Sequence, residues 1–333
     1  MLKTSFERVL KTSGTEGYYR FRIPGMLKTE RGFLFAMEAR CENKGDWGNI
    51  DIQVLFSDGG DAEKVLQIGD GRNAEADEMN TYNNPVLVPD GDKVHLVYCL
   101  NYERMFIRTS PDGGRTWGAE REITGYLRAF DFEWNVCAAG PGHGICMKNG
   151  RLVVPVWLAM GEVRGKIRDH FPSAAGMMYS DDGGETWECG ELAKGIANAS
   201  ETTVCELDDG RLLINFRNEN SDFRRVLAFS DDGGKTLADI SSHEALTDPI
   251  CFGSMVFVGG KVWFINCDSV SDRVNVTVRA SEDGGKTWTR VWHADDIGGY
   301  PDIAVTDTAV HAFYERMYKN GLWELVWKRA DFE

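Results

Sequence analysis

Six copies of one sequence unit run down the chain from end to end. Each sets a strand that opens at a turn, often beside a glycine, ahead of another strand that tends to close on Ser-x-Asp-Gly-Gly-x-Thr-Trp. The first of these strands begin at Gly32 (FLFAMEAR), Asp92 (KVHLVYCL), Arg151 (LVVPVWLA), Arg211 (LLINFRN), Lys261 (VWFINCD) and Thr308 (AVHAFYER). The boxes follow at Ser110–Trp117, Ser180–Trp187, Ser230–Leu237 and Ser281–Trp288, with a shortened one at Ser57–Gly60. Short strands at a period of about 50 to 60 residues are the mark of a propeller in which each unit is one blade. The sequence therefore predicts an all-β fold, a six-bladed β-propeller with Asp boxes. Because the repeat leaves no linker, it predicts one domain over residues 1–333.

Composition removes several partners. A net charge of −15 repels phosphate backbones, so nucleic acid is excluded and an anionic ligand would need a strong local cationic site. No window offers the roughly 20 uninterrupted apolar residues of a membrane-spanning helix. The segment MLKTSFERVLKTSG lacks the apolar stretch of a secretion signal. A cytoplasmic location is the expectation for the sequence as it stands, and an extracellular or periplasmic one if it was trimmed. The eight cysteines fall mostly inside strand patterns and are expected to be reduced thiols. Cys137, His143 and Cys146 lack a fourth ligand at usual zinc spacing, so neither metal nor cofactor is expected. Oligomeric state is not encoded in any pattern here.

The boxes have a sufficient structural explanation: Asp accepts N–H groups of its own turn, Gly-Gly permits positive φ, and Trp packs the turn onto the blade. They also act as a compass. If each blade is an antiparallel meander whose third strand runs down into the box, strand-one starts and strand-two ends share the opposite face. Arg22, Glu201 and Tyr300 stand at strand-one starts, and Arg40, Asp46, Arg217, Arg273 and Glu315 at or just beyond strand-two ends. Arginines, carboxylates and a phenol thus converge on one rim, an anion-binding site with acid and base groups in reach. A surface arginine in a weak ion pair would account for any one of them singly, but not for all eight on one face.

These residues resemble those of the sialidase (neuraminidase) superfamily, particularly bacterial exo-α-sialidases of glycoside hydrolase family 33. Phe21-Arg22-Ile23-Pro24 matches the family's Arg-Ile-Pro motif, the boxes accompany it, and Gly140-Pro141-Gly142-His143-Gly144-Ile145 with Asn149-Gly150-Arg151-Leu152 is also similar to the bacterial enzymes. The resemblance implies that Arg22, Arg217 and Arg273 grip a substrate carboxylate, with Arg40 an additional arginine near the acid. It implies Asp46 as acid/base, Glu201 as activator of the nucleophile, Tyr300 as the nucleophile, and Glu315 as the residue that orients Arg22. Two departures are minor: the first box lacks Thr-Trp, and Leu237 replaces Trp in the fourth.

The implied substrate is a sialylated glycan or a related acidic sugar, hydrolysed with retention through a covalent tyrosine intermediate. The chemistry suits the residues. A sialoside carries a carboxylate on its anomeric carbon, so a phenol, neutral until attack, avoids the repulsion an anionic nucleophile would meet. Glu201 would take its proton and Asp46 would protonate the leaving oxygen, which predicts that Asp46 has the higher pKa of the two. Related ulosonic acids such as Kdn or Kdo share the carboxylate, and Trp47, Asn83, Trp134 and Trp157 are candidate walls for what distinguishes them, with core packing equally open to each. A glycan-binding propeller without catalysis would be expected to lose Tyr300, Glu201 or Asp46, and all three are present.

Overall fold

The computed structural model describes residues 1–73 and 79–332. Among them, six antiparallel sheets stand around a central axis as the blades of a propeller. Blade I comprises Arg20–Thr29, Gly32–Arg40, Ile50–Ser57 and Glu63–Ile68; blade II comprises Tyr82–Asp90, Lys93–Leu100, Arg104–Ser110 and Arg121–Glu122. Blade III runs through Val136–Ala139, Leu152–Ala159, Ser173–Ser180 and Glu188–Leu192, and blade IV through Thr202–Glu206, Leu212–Phe216, Arg224–Ser230 and Ala238–Thr247. Blade V contains Ser254–Val258, Lys261–Cys267, Val274–Ser281 and Thr289–Ile297. Sequence composition follows distance from the axis. Second strands such as LVVPVWLA are buried on both faces by neighbouring blades and read as continuous apolar runs. Outermost strands such as ADISSHEALT have one wet edge and are mostly polar.

Blade VI joins the two ends of the chain. Gly299–Val305, Ala309–Met317 and Trp323–Asp331 supply three strands, and the fourth is the N-terminal strand Thr4–Thr12, paired antiparallel from Thr4↔Ala330 to Thr12↔Glu324. The N-terminal segment, to which the repeat pattern assigns no place, thus closes the ring.

At the axis the Gly142–His143 pair adds in parallel to the inner strand of blade II. The carboxylate of Asp302, fully buried in blade VI, accepts hydrogen bonds from Met26 N of blade I (2.7 Å), Ser254 Oγ of blade V (2.5 Å) and its neighbour Ile303 N (2.8 Å), and pairs with His143 Nδ1 at 2.8 Å. Backbones come so close here that a Cβ on Gly25 would stand 2.7 Å from the carbonyl oxygen of Gly142. Burial lowers the pKa of His143, but Asp302 outweighs it and the net shift is upward. The pair's contribution to stability is therefore complete below the free-histidine value of 6.5 and fades as pH rises through the raised value. His143 is thereby committed to the axis, and the Cys137, His143, Cys146 run makes no metal cluster among the described residues. All eight cysteines are free, and no helix among the described residues is long and apolar enough to cross a membrane.

The boxes sit where third strands end. In blade III, Asp182 accepts from Thr186 N at 2.9 Å and Thr186 Oγ1 at 2.6 Å, Ser180 Oγ accepts from Gly184 N, and the buried Trp187 donates Nε1–H to Gly184 O at 3.1 Å. The same bonds recur around Asp112 and Asp283, and around Asp232 without the tryptophan. These turns lie on the face opposite the strand-one starts. Trp187→Ala should lower the melting temperature by an amount equivalent to about 3 to 5 kcal/mol, while the rate per folded molecule is unchanged. Lost activity at a normal melting temperature would show the boxes to be on the working face.

Candidate active site

On that opposite face the inner strands of three blades share one backbone device. Ile23, Asn84 and Tyr300 each have left-handed φ, of 54°, 51° and 51°. Each precedes a proline, and each lies where the strand slips register against its neighbour. Such a bulge turns side chains out of the pleat toward the axis at the rim. All three residues line one cavity of about 250 Å³. Tyr300 is anchored there by its N–H, donated to Cys251 Sγ at 3.4 Å.

The Tyr300 hydroxyl donates to Glu201 Oε1 at 2.9 Å and accepts from Arg217 Nη1, also at 2.9 Å. Arg217 Nη1 pairs with Glu201 Oε2 as well. Burial raises the pKa of the phenol and Glu201 adds to the rise, against the pull of Arg217, Arg273 and Arg22. Tyr300 is thus protonated at rest, with an acceptor for its proton already in contact. The guanidinium carbons of Arg22 and Arg273 each lie 4.9 Å from the centre of its ring.

Glu315, with no exposed surface, holds Arg22: Nε donates to Oε1 at 3.0 Å and Nη2 to Oε2 at 3.2 Å, while Ile23 N also donates to Oε1. The Arg273 guanidinium has no hydrogen-bond or ion-pair partner among the described residues, and Arg217 commits Nη1 alone of its guanidinium while its buried Nε has no acceptor. Two guanidinia facing the cavity therefore retain donors for an incoming anion.

Arg40, expected among the ligand arginines, is not in the cavity wall. Only 4% exposed, it donates to Glu38 Oε2, to Gly45 O at 2.6 Å and to Asp46 Oδ1 at 2.9 Å. Arg40 therefore pins the loop that carries Asp46, and its donors are consumed by that task. The protonation expected for the acid also differs. Burial raises the pKa of Asp46, but Arg40 and then Arg22 outweigh it and hold the carboxyl at about 2. Asp46 is therefore held ionised by its arginines, where the acid role asks for a raised pKa.

Among the candidate walls, Trp157 lines the cavity, in edge contact with His170 at 5.3 Å between ring centres. Trp47 stands behind the wall, its ring tilted against that of Tyr102 at 5.0 Å; Asn83 is wholly buried beside the lining residue Asn84; Trp134 lies under Arg128. Sequence reasoning missed Tyr102, His170 and Phe171, which complete the aromatic side of the cavity. Only Tyr102 had a local signal, the Leu100-Asn101-Tyr102 turn out of a second strand, whose Asn101 and Tyr102 both take positive φ.

The BNR repeat-like domain profile matches residues 42–312. The "Sialidase" of Bacteroides fragilis (strain YCH46) is 29% identical over 84% of this chain, which spans 56% of that relative's length. The chain thus covers little more than half of that relative. In structure, "Hadza microbial sialidase Hz136" superposes with a TM-score of 0.82 over 98% of this chain and 68% of its own, at 23% identity. Trypanosoma rangeli sialidase, in complex with 2,3-difluorosialic acid as a covalent intermediate, superposes with a TM-score of 0.75 over 99% and 59%, at 20% identity. At these identities the two solved structures share the fold.

Replacing Arg40 with Gln should raise the Asp46 pKa from about 2 toward the ordinary 3.8, read by carboxyl NMR titration. By linkage the ion pairs of Asp46 stabilise the fold above the ordinary value, and this is lost as pH falls from 3.8 through about 2. Arg40→Gln should flatten that part of the acid-unfolding curve. An unmoved Asp46 titration would remove Arg40 as its main partner.

Proposed function

The chain belongs to the BNR repeat-like family, and from that premise and the site above we propose that it is an exo-α-sialidase, releasing terminal sialic acid from glycoconjugates with retention of configuration. The observation that carries this reading is the Tyr300–Glu201–Arg217 contact, with the hydroxyl 2.9 Å from both partners at the floor of an arginine-lined cavity. A tyrosine hydrogen-bonded to a carboxylate and overlaid by two guanidinia has the means to become a transient phenolate. An oxygen nucleophile of that kind suits a carbon that already carries a carboxylate. The relatives named sialidase, and the covalent intermediate of the Trypanosoma rangeli enzyme with 2,3-difluorosialic acid, agree in kind.

In the first displacement the substrate carboxylate takes the open donors of Arg217 and Arg273 and engages Arg22, each charge-assisted contact fixing the anomeric carbon above Tyr300. Tyr300 loses its proton to Glu201 as its oxygen bonds to that carbon and the glycosidic bond breaks. Asp46 gives its proton to the departing oxygen. The carboxylate of the substrate offsets the field of Arg22 on Asp46, and the exclusion of water penalises the charged form of Asp46, so Asp46 gains its proton only in the loaded site. In the second displacement Asp46 accepts a proton from water, water oxygen bonds to the anomeric carbon, the tyrosyl bond breaks, and Glu201 returns the proton to Tyr300. Inversion twice leaves the original configuration.

Hydrolysis of a fluorogenic α-sialoside tests the activity. A 3-fluorosialyl fluoride should leave a mass adduct that peptide mapping assigns to Tyr300, and Tyr300→Phe should form none; an adduct on a carboxylate would refute the nucleophile. Replacing Arg22, Arg217 or Arg273 with Ala should each cost about 2 to 5 kcal/mol in kcat/KM. Unchanged constants in all three variants would refute the carboxylate site.

A further inference from the structure

Beside the pocket, between blades VI and I on the same face, lies a second cavity of about 360 Å³ formed by the turn at Ser13-Gly14, by Tyr19-Arg20, and by the turn at Asn320-Gly321-Leu322. One ring links it to the first site. Trp323 carries the Arg20 guanidinium at 3.9 Å and the Arg22 guanidinium at 5.3 Å. In the sheet, Arg20 pairs with Arg40, which in turn holds Asp46 at 2.9 Å. The second cavity therefore adjoins the same blade edge as the proton donor, whose side chain is 46% exposed at the mouth.

Arg20 is an uncompensated cation. Its one hydrogen bond among the described residues goes to the hydroxyl of its neighbour Tyr19 at 3.3 Å, its buried Nε–H has no acceptor, and it has no carboxylate partner there. Burial lowers its pKa, and the like charges of Arg22 and Arg40 lower it further, while Tyr19 and Glu315 act the other way. Stacking on Trp323 and Tyr19 holds the group without neutralising it. A half-buried guanidinium left unpaired in a chain of net charge −15 is costly unless something else meets it.

We propose that this cavity is a leaving-group subsite for an anionic saccharide, with Arg20 pairing with the carboxylate or sulfate of the sugar next to the scissile bond and the exposed face of Tyr19 stacking on its ring. The inference rests on the hydrolytic reading above, since a leaving oxygen at Asp46 sends the rest of the glycan over this edge of blade I. A neutral leaving group would make no use of Arg20.

The test compares kcat/KM for an α2,8-linked disialyl lactose, for sialyllactose and for sialyllactose sulfated on galactose, in wild type and in Arg20→Gln. Wild type should favour the anionic leaving groups by about tenfold or more, as a charge-assisted contact implies. Arg20→Gln should lose that preference while cleaving sialyllactose within about twofold of wild type. A response in only the carboxylate arm or only the sulfate arm identifies which anion is read. Equal wild-type rates on all three, or an unchanged ratio in Arg20→Gln, would overturn the subsite. If wild type cleaves none of them, the hydrolytic reading fails separately, and equilibrium titration decides the subsite. Binding of disialyl lactose, followed by tryptophan fluorescence, must then weaken in Arg20→Gln while that of sialyllactose does not, or the subsite falls.

Discussion

The carboxylate of Asp302 is the point on which the rest of the ring depends. A propeller has no core at its axis in the ordinary sense, because each blade buries its faces against two neighbours and none against the centre. Here the centre is filled by a fully buried carboxylate that binds a backbone N–H of blade I, a hydroxyl of blade V and an imidazole from the connection between the first two strands of blade III. Breaking a buried pair of this kind leaves a bare charge in a dry site, at a cost of about 3 to 5 kcal/mol. The apolar contacts between blades are tolerant of small slips. The axial knot is not, since every partner lies at hydrogen-bond distance from one carboxyl group.

The geometry of the cavity is a by-product of that knot. Ile23 and Tyr300 lie within a few residues of Met26 and Asp302, so the bulges that present them are held from below by the same group. A tyrosine at positive φ before a proline is a strained choice, tolerated where surroundings over-determine it. Glu201 and Arg217 come from the blade IV end, with blade V between, and meet Tyr300 across the cavity.

The blade count and the working face were legible because they depend on short-range rules: turn chemistry in the boxes and strand alternation between them. Arg22, Glu201, Arg217, Arg273 and Tyr300 were found because strand polarity alone assigns their end of the blade, and the structure brings them around one cavity. Arg40 shares that end, and what separates it from the others is the direction of a side chain captured by Glu38 and Gly45, which no spacing records. Asp46 illustrates the same boundary. Its position could be read, but its charge state depends on two guanidinia within 3.5 Å, one of them brought by tertiary packing. Tyr102, His170 and Phe171 come from loops, where the repeat is silent. The proline after Asn84 is a usable signal for the third bulge: Ile23-Pro24, Asn84-Pro85 and Tyr300-Pro301 repeat one another at equivalent places.

Closure of blade VI by the first strand also bears on how the molecule is made. Arg22 is made well before the carboxylate that orients it, 293 positions further on, and the outer strand Thr4–Thr12 must wait for Trp323–Asp331 before it has an edge to join. At a synthesis rate of about 5 to 20 residues per second, the first strand stays unpaired for many seconds. During that time blades I to V expose one lateral face at each end, the kind of open apolar surface on which two nascent chains could exchange parts. The short, charged Thr4–Thr12 segment is a poor template for such an exchange, with Lys, Arg and Glu interrupting its alternation. Ring closure thus waits on the last blade to be made, and a chain lacking that blade would lack Tyr300, Glu315 and Asp302 together.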